Sequence, residues 1–289
     1  MAFLVDDAFA HPLSANLAHT GDVRHRFDVL GIVRGVKGVA TVDGLAFDDG
    51  FSVSFTGAAR RAEAEERIPA TTSWAQGRCD DRCRRLDVEQ AAAGTLLRFS
   101  ALSGAAGDGP RNAAPEKRAN DAARAVLDRF RTAAPEIVVA LQSDAPERAV
   151  AAALRLVGLG PGLTPAGDDF LVGLAAAAWF RTGLAAGVPE KLNEKTVAAW
   201  LDLVLDAAGG PVPRTGDVSL SFLRLAQRRL FSRALVGLSR SFVPGAEERT
   251  FDDAVALLRR LGHSSGLDAA TGFLFGLKSI GPRSSRIQG

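Results

Sequence analysis

The chain has 289 residues, 47% of them hydrophobic and 24% charged. At roughly 150 residues per domain this is one large domain or two small ones, long enough for a real core. With 35 basic and 33 acidic side chains the net charge is +2, which gives no reason to expect nucleic acid as the main partner. No run of about 18 uncharged apolar residues occurs, so no transmembrane helix is expected; the apolar stretch Leu171–Phe180 ends at Arg181. The start, MAFLVDDAFAHPL, has no basic segment before an apolar run. It predicts no signal peptide, and hence the cytoplasm. Cys79 and Cys83 in RCDDRC have no His nearby and read as reduced thiols. The only histidines are His11, His19, His25 and His263, which argues against a His-rich metal site.

Residues 28–57 hold short apolar runs split by Gly and by Asp-Asp-Gly, with Phe51, Val53 and Phe55 alternating with Ser52 and Ser54. That period of two predicts two or three antiparallel strands, with Asp49–Gly50 as a hairpin signal. Residues 58–113 read as irregular structure with further strands near Thr95–Leu102, and Ser103–Asn112 as a linker. From about residue 116 the period becomes helical. Helices are expected over 117–132, 147–157, 165–182, 192–207, 217–240, 251–261 and 265–278. The expected class is therefore α+β: a β-rich N-terminal region, 1–113, followed by a mainly helical domain, 114–289.

The segment LVGLGPGLTPAGDDFLVG packs Gly158, Gly160, Gly162 and Gly167 into ten residues ahead of an apolar helix. Glycine serves where φ is positive or where the backbone touches a ligand. Thr164–Pro165 reads as an N-cap followed by proline at the first helical position. A Gly-rich turn feeding a helix N-terminus is a ready cradle for phosphate or carboxylate, drawn here from Gly160 to Gly167. Asp168 and Asp169 complicate that reading. Carboxylates in the first turn suit the helix dipole but repel an anion. The conflict eases if one Asp holds a metal ion or acts as a base; otherwise the pair only caps the helix.

LGHSSGLDAATGFLFGL, residues 261–277, carries the same spacing: Gly167-x-Asp169-x-x-x-Gly173 matches Gly266-x-Asp268-x-x-x-Gly272. Asp and Gly four apart share a helix face, and Gly admits a close backbone. Two helices are thus expected to cross near Gly173 and Gly272 with Asp169 and Asp268 facing one cleft. His263, Ser264 and Ser265 stand before the second helix as Thr164, Pro165 and Ala166 stand before the first. His263 is a candidate neutral donor or base; the plainer reading makes Ser264 a cap and His263 a loop residue. Outside these short stretches nothing visibly repeats. Between the copies, Arg214 sits in a Gly-rich turn where it could clamp an anion, or be an ordinary surface arginine. Arg224, Arg228, Arg229 and Arg233 recur at helical spacing and read as a solvated face.

Taken together, GLGPGLTPAGDDFLVG, Arg214–Thr215, Ser219 and GHSSGLDAATGFLFGL resemble a bacterial family long carried as a domain of unknown function. One branch of it supplies a subunit of the oxamate carbamoyltransferase of anaerobic allantoin breakdown. The resemblance covers about 150–280. It implies carbamoyl transfer between an oxalurate-like ureide and phosphate, giving carbamoyl phosphate, with other carbamoyltransferase subunits as partners and a small anionic substrate.

Ala166-Gly167-Asp168-Asp169-Phe170-x-x-Gly173 also looks like the anion-hole motif of ribokinase-type sugar kinases, where an Asp takes the substrate proton. Pro165, however, stands where that family prefers Gly.

Three readings follow. The first is a transferase subunit with catalytic Asp168, Asp169, His263 and Asp268. Its substrate would be held by Gly160, Gly162, Thr164, Gly167, Arg214, Ser264, Ser265 and Gly266, and Asp169 with Asp268 are the candidate ligands of a metal ion such as magnesium (Mg2+). The second is a small-molecule kinase. The third is a non-catalytic, anion-binding assembly subunit. None calls for nucleic acid or membrane.

Overall fold

A computed structural model describes the strand backbones named below and residues 67–68, 75, 78–93, 95, 97–102, 114–160, 162–182 and 192–280. The chain divides into two compact units, one of Met1–Ala10 and Ser14–Ala64, the other of His11–Leu13 and Glu65–Gly289. In the first, β1 (Phe3–Asp6) runs parallel to β2 (Asn16–His19), and β3 (Gly38–Thr41), β4 (Gly44–Phe47) and β5 (Ser52–Ser54) form an antiparallel meander. The hairpin signal Asp49–Gly50 and the linker Ser103–Asn112 lie outside the described residues.

The second unit is helical, and it corrects the α+β expectation: the described residues are mainly helical, and from Cys79 on, within the region expected to be β-rich, they form the first two helices. Ten helices follow in order among the described residues: α1 (Cys79–Ala92), α2 (Phe99–Leu102), α3 (Ala114–Gln142), α4 (Pro146–Ala153), α5 (Ala166–Thr182), α6 (Glu194–Ala208), α7 (Asp217–Gln227), α8 (Arg233–Arg240), α9 (Glu248–Leu258) and α10 (Ser265–Ser279). The strands expected near Thr95–Leu102 are instead a loop and α2. A short apolar run such as LLRFSAL fits either period, and tertiary packing decides it. Among the described residues of the second unit no strand alternates with the helices, as the strands of a ribokinase-type fold would.

Two further differences have local causes. α1 escapes the hydrophobic pattern because its inward face carries Arg82 and Gln90 beside Cys79, Cys83 and Leu86, all buried. The Arg82 guanidinium lies 4.6 Å from the Phe242 ring centre and 5.2 Å from that of Phe251. It also donates to the Ser241 hydroxyl at 3.1 Å. Gln90 donates to Thr271 of α10. The single helix expected over 217–240 breaks into α7 and α8 at Arg229, whose φ is 65°. That conformation is unusual for a residue with a Cβ. It is held by the Trp179 ring, 4.2 Å from the guanidinium, and by an ion pair with Glu194.

α5 and α10 form the centre. From Gly167 to Arg181, every residue of α5 but Val172 is buried, the mark of a helix enclosed on all sides. Phe170 meets Phe130 of α3 edge-on with ring centres 5.3 Å apart, and Phe273 of α10 meets Phe180 at 6.1 Å and Phe242 at 5.9 Å. No described helix is long and apolar enough to cross a membrane.

Candidate functional site

The crossing of α5 and α10 is made by the two glycines the matched spacing singles out. A Cβ on Gly173 would lie 1.8 Å from the Ala269 carbonyl oxygen, and one on Gly272 would lie 2.0 Å from that of Phe170. Neither position has room for a methyl group. The backbones are thus in contact, and one turn earlier on each helix stand Asp169 and Asp268, the charge of the second reaching the first.

The likeness of the two halves extends beyond the motifs. Leu159 N–H donates to the Leu156 carbonyl at 2.9 Å, and Leu261 N–H to that of Leu258 at 3.0 Å. A positive-φ glycine follows each, Gly160 at 121° and Gly262 at 64°. Gly167 N–H then donates to Leu159 at 2.9 Å and Gly266 N–H to Leu261 at 3.1 Å. A Cβ on Gly167 would fall 1.9 Å from the Leu156 oxygen, and one on Gly266 2.0 Å from that of Leu258. Asp169 N–H donates to Pro165 at 3.2 Å and Asp268 N–H to Ser264 at 2.9 Å. Each half is therefore a helix end, a tight turn and the start of a buried helix, and the first has a turn longer by three residues.

These contacts revise the anion cradle. Gly167 and Gly266 sit against neighbouring backbone, and a Cβ on Gly160 would lie 2.9 Å from Ala166 N. The N–H groups of Gly167, Asp168 and Asp169 already donate to backbone carbonyls. Packing accounts for these glycines. Gly162 differs: its φ is +102°, it is exposed, and a Cβ there would meet nothing within 4 Å.

α5 begins at Ala166 rather than Pro165, and the Thr164 hydroxyl bonds the Ser265 hydroxyl across the two halves at 2.7 Å. Ser264 occupies the N-cap position of α10 without making a side-chain cap bond. His263 is exposed in the turn before α10, and Arg214 is exposed in the turn before α7.

Asp169 and Asp268 are 5% and 1% exposed, low enough to govern their chemistry. Burial pushes Asp169 up to about 8; the neighbouring Asp268 and Asp168 add to the rise, while the Ser265 and Thr164 hydroxyls oppose it. Burial pushes Asp268 up to about 7, against the pull of Ser264. Asp169 Oδ2 and both Asp268 oxygens have no hydrogen-bond partner of normal geometry among the described residues. Ser264 is thus a neighbour that has not closed a bond. At neutral pH two such carboxyls hold at least one proton between them. The described residues contain no group of three or more His, Cys, Asp or Glu side chains placed to hold a metal ion.

Asp168 has another place. Its Oδ1 accepts from Gly158 N–H at 2.9 Å, and its Oδ2 accepts from the Thr215 hydroxyl. No feature of the local sequence announces the Thr215 contact, which spans 47 positions.

Residues 156–277 match the family model described as oxamate carbamoyltransferase subunit AllH. Over that segment the chain is similar to the AllH family. The AllH match opens at Leu156, whose carbonyl seats Gly167, and closes at Leu277 in the last turns of α10. It therefore takes in both halves of the buried acid pair and the Arg214 turn between them. No solved structure matches the chain.

Proposed function

We propose that this chain is the acid–base and anion-binding subunit of a carbamoyltransferase-type complex, working with other subunits on a small anionic carbamoyl or phosphate compound. One observation carries the reading. Asp169 and Asp268 are buried and short of hydrogen-bond partners, and the charge of Asp268 reaches Asp169, an arrangement that costs stability and so marks a candidate functional site.

The reaction needs such a pair. In carbamoyl transfer from an oxalurate-like ureide to phosphate, the C–N bond breaks and a C–O bond to phosphate forms. One proton leaves the phosphate oxygen and one reaches the departing amide nitrogen. A dyad holding a single proton does both: its ionised member accepts the first while its protonated member donates the second, and its own charge is unchanged at the end. The shared proton also removes the conflict between acidic residues and an anionic substrate, since a protonated carboxyl donates a hydrogen bond where a carboxylate repels. Ser264, Ser265 and Thr164 line the dyad as further hydroxyl donors, and exposed Arg214 supplies the cation.

The test is carbamoyl phosphate formation from oxalurate and phosphate, measured on this chain alone and with its co-purified partners. Turnover is expected only with the partners and without ATP. ATP consumption in step with product, or ligand binding without turnover in every combination, would overturn the proposal.

A further inference from the structure

Asp168 is buried at the site, yet it is not a member of the acid pair. Both its oxygens are used, one on Gly158 N–H and the other on the Thr215 hydroxyl. Those two partners flank the backbone of Arg214. A Cβ on Gly158 would lie 2.3 Å from the Arg214 carbonyl oxygen, so that carbonyl rests directly on the Gly158 backbone. On its other side, Arg214 N–H donates to the Ala208 carbonyl at the end of α6 at 2.9 Å. The turn carrying Arg214 is therefore fixed at α6, at the Gly158 turn, and through Thr215 at the first turn of α5. Its guanidinium nevertheless remains exposed.

A surface arginine does not need a backbone held at three points. An arginine that recognises an anion does, because orientation of the planar guanidinium sets the strength of a bidentate contact, and anchoring it beforehand lowers the entropy lost on binding. We infer that Asp168 and Thr215 are positioning residues that aim Arg214 at the carboxylate or phosphate of the bound anion. This rests on the anion-binding reading above and assigns Asp168 to binding rather than to proton transfer. The Asp168–Thr215 bond fastens the Arg214 turn to the helix start that bears Asp169, so the cation and the acid pair keep a fixed spacing.

The experiment is a double-mutant cycle on the full chain, with inorganic phosphate as the probe and calorimetry as the readout. Thr215→Val removes the hydroxyl at nearly constant volume, and Arg214→Gln removes the cation. Each is expected to weaken phosphate binding by about tenfold, the scale of a charge-assisted hydrogen bond. The double variant should be no weaker than Arg214→Gln alone, and Thr215→Ser should restore wild-type affinity. Full affinity in Thr215→Val, or effects that add in the double variant, overturns the positioning role while leaving anion binding by Arg214 intact. Wild-type affinity in Arg214→Gln, or no phosphate binding by the unmodified chain, overturns both. Asp168→Asn in the assembled complex gives a second readout. A raised KM for phosphate with kcat nearly unchanged is expected, and a collapse of kcat at unchanged KM would place Asp168 in the chemistry instead.

Discussion

Asp268→Asn should abolish turnover and at the same time make the protein more stable. General acid–base groups typically supply about 100-fold to 10,000-fold in rate, and loss of at least the lower figure in kcat is expected for Asp268→Asn and for Asp169→Asn. The stability change has the opposite sign because both carboxyls are strained by burial. In the fold they sit at about 8 and about 7, whereas in the unfolded chain each titrates near the ordinary value of about 3.9. Below that value both states are protonated and the fold is not penalised. As pH rises through the window up to about 8, the unfolded chain ionises while the folded chain keeps its protons or bears a buried charge. The unfolded state then binds fewer protons, so stability falls with rising pH. An amide at either position does not titrate and escapes that penalty. The melting temperature of each variant should therefore exceed that of the wild type by about 5 °C at pH 8, corresponding to one or two kcal/mol for a chain of this size. The gap should shrink toward pH 4. Calorimetry across pH 4–9 checks it. A variant that loses both activity and stability at pH 8 would mean the carboxyls hold the fold together, and their claim to catalysis would fall. The trade of stability against activity is the expected one for a functional site built inside a core.

How much of this is legible from residues alone depends on what each contact asks of the side chain. The crossing of α5 and α10 asks for glycine on both helices, because any Cβ at 173 or 272 would strike a carbonyl oxygen. That requirement writes itself into the sequence as Gly-x-Asp-x-x-x-Gly, twice. The seats for Gly167 and Gly266 are the carbonyls of Leu156 and Leu258, and every residue carries a carbonyl. Half of each contact therefore leaves no trace, and the repeat looks shorter than it is. Thr164–Ser265 and Asp168–Thr215 are pairings between common polar residues, 101 and 47 positions apart, with no period to announce them. The glycine-rich turn misled in the other direction. Its glycines suggested an open anion cradle, but positive φ and close backbone packing account for Gly158, Gly160 and Gly167. The break at Arg229 carries neither Gly nor Pro, so a helix drawn through it is the natural reading until Trp179 and Glu194 are seen to hold it. α1 was hidden for a related reason. Its inward face is half polar, and only the rings of Phe242 and Phe251, far along the chain, make an inward Arg82 acceptable.

Gly272→Ala should cost the fold far more than a single methyl group usually does. The added carbon would lie 2.0 Å from the Phe170 carbonyl oxygen and 3.0 Å from Leu174 N. Neither obstacle is the tip of a flexible side chain; both belong to the backbone of a helix buried on all sides. Relief requires α5 and α10 to separate by more than 1 Å, which opens gaps between Phe170 and Phe275 and between Phe180 and Phe273 along the same seam. Overpacking a core ordinarily costs about 1–3 kcal/mol; with backbone on both sides the expected loss is at or above about 3 kcal/mol for Gly272→Ala. Gly173→Ala should match it, since its Cβ would meet Ala269 O at 1.8 Å. Gly237→Ala supplies the control. It lies inside α8 with its nearest obstacle, the Ala254 Cβ, at 3.5 Å, and there the better helix propensity of alanine should add up to about 1 kcal/mol. Urea unfolding of the three variants reads the difference in sign directly. If Gly272→Ala unfolds within about 1 kcal/mol of the wild type, the helices do not touch as described. The proposed mechanism would suffer with the fold, because the contact that excludes a methyl group also sets the spacing between Asp169 and Asp268, one turn earlier on the same two helices.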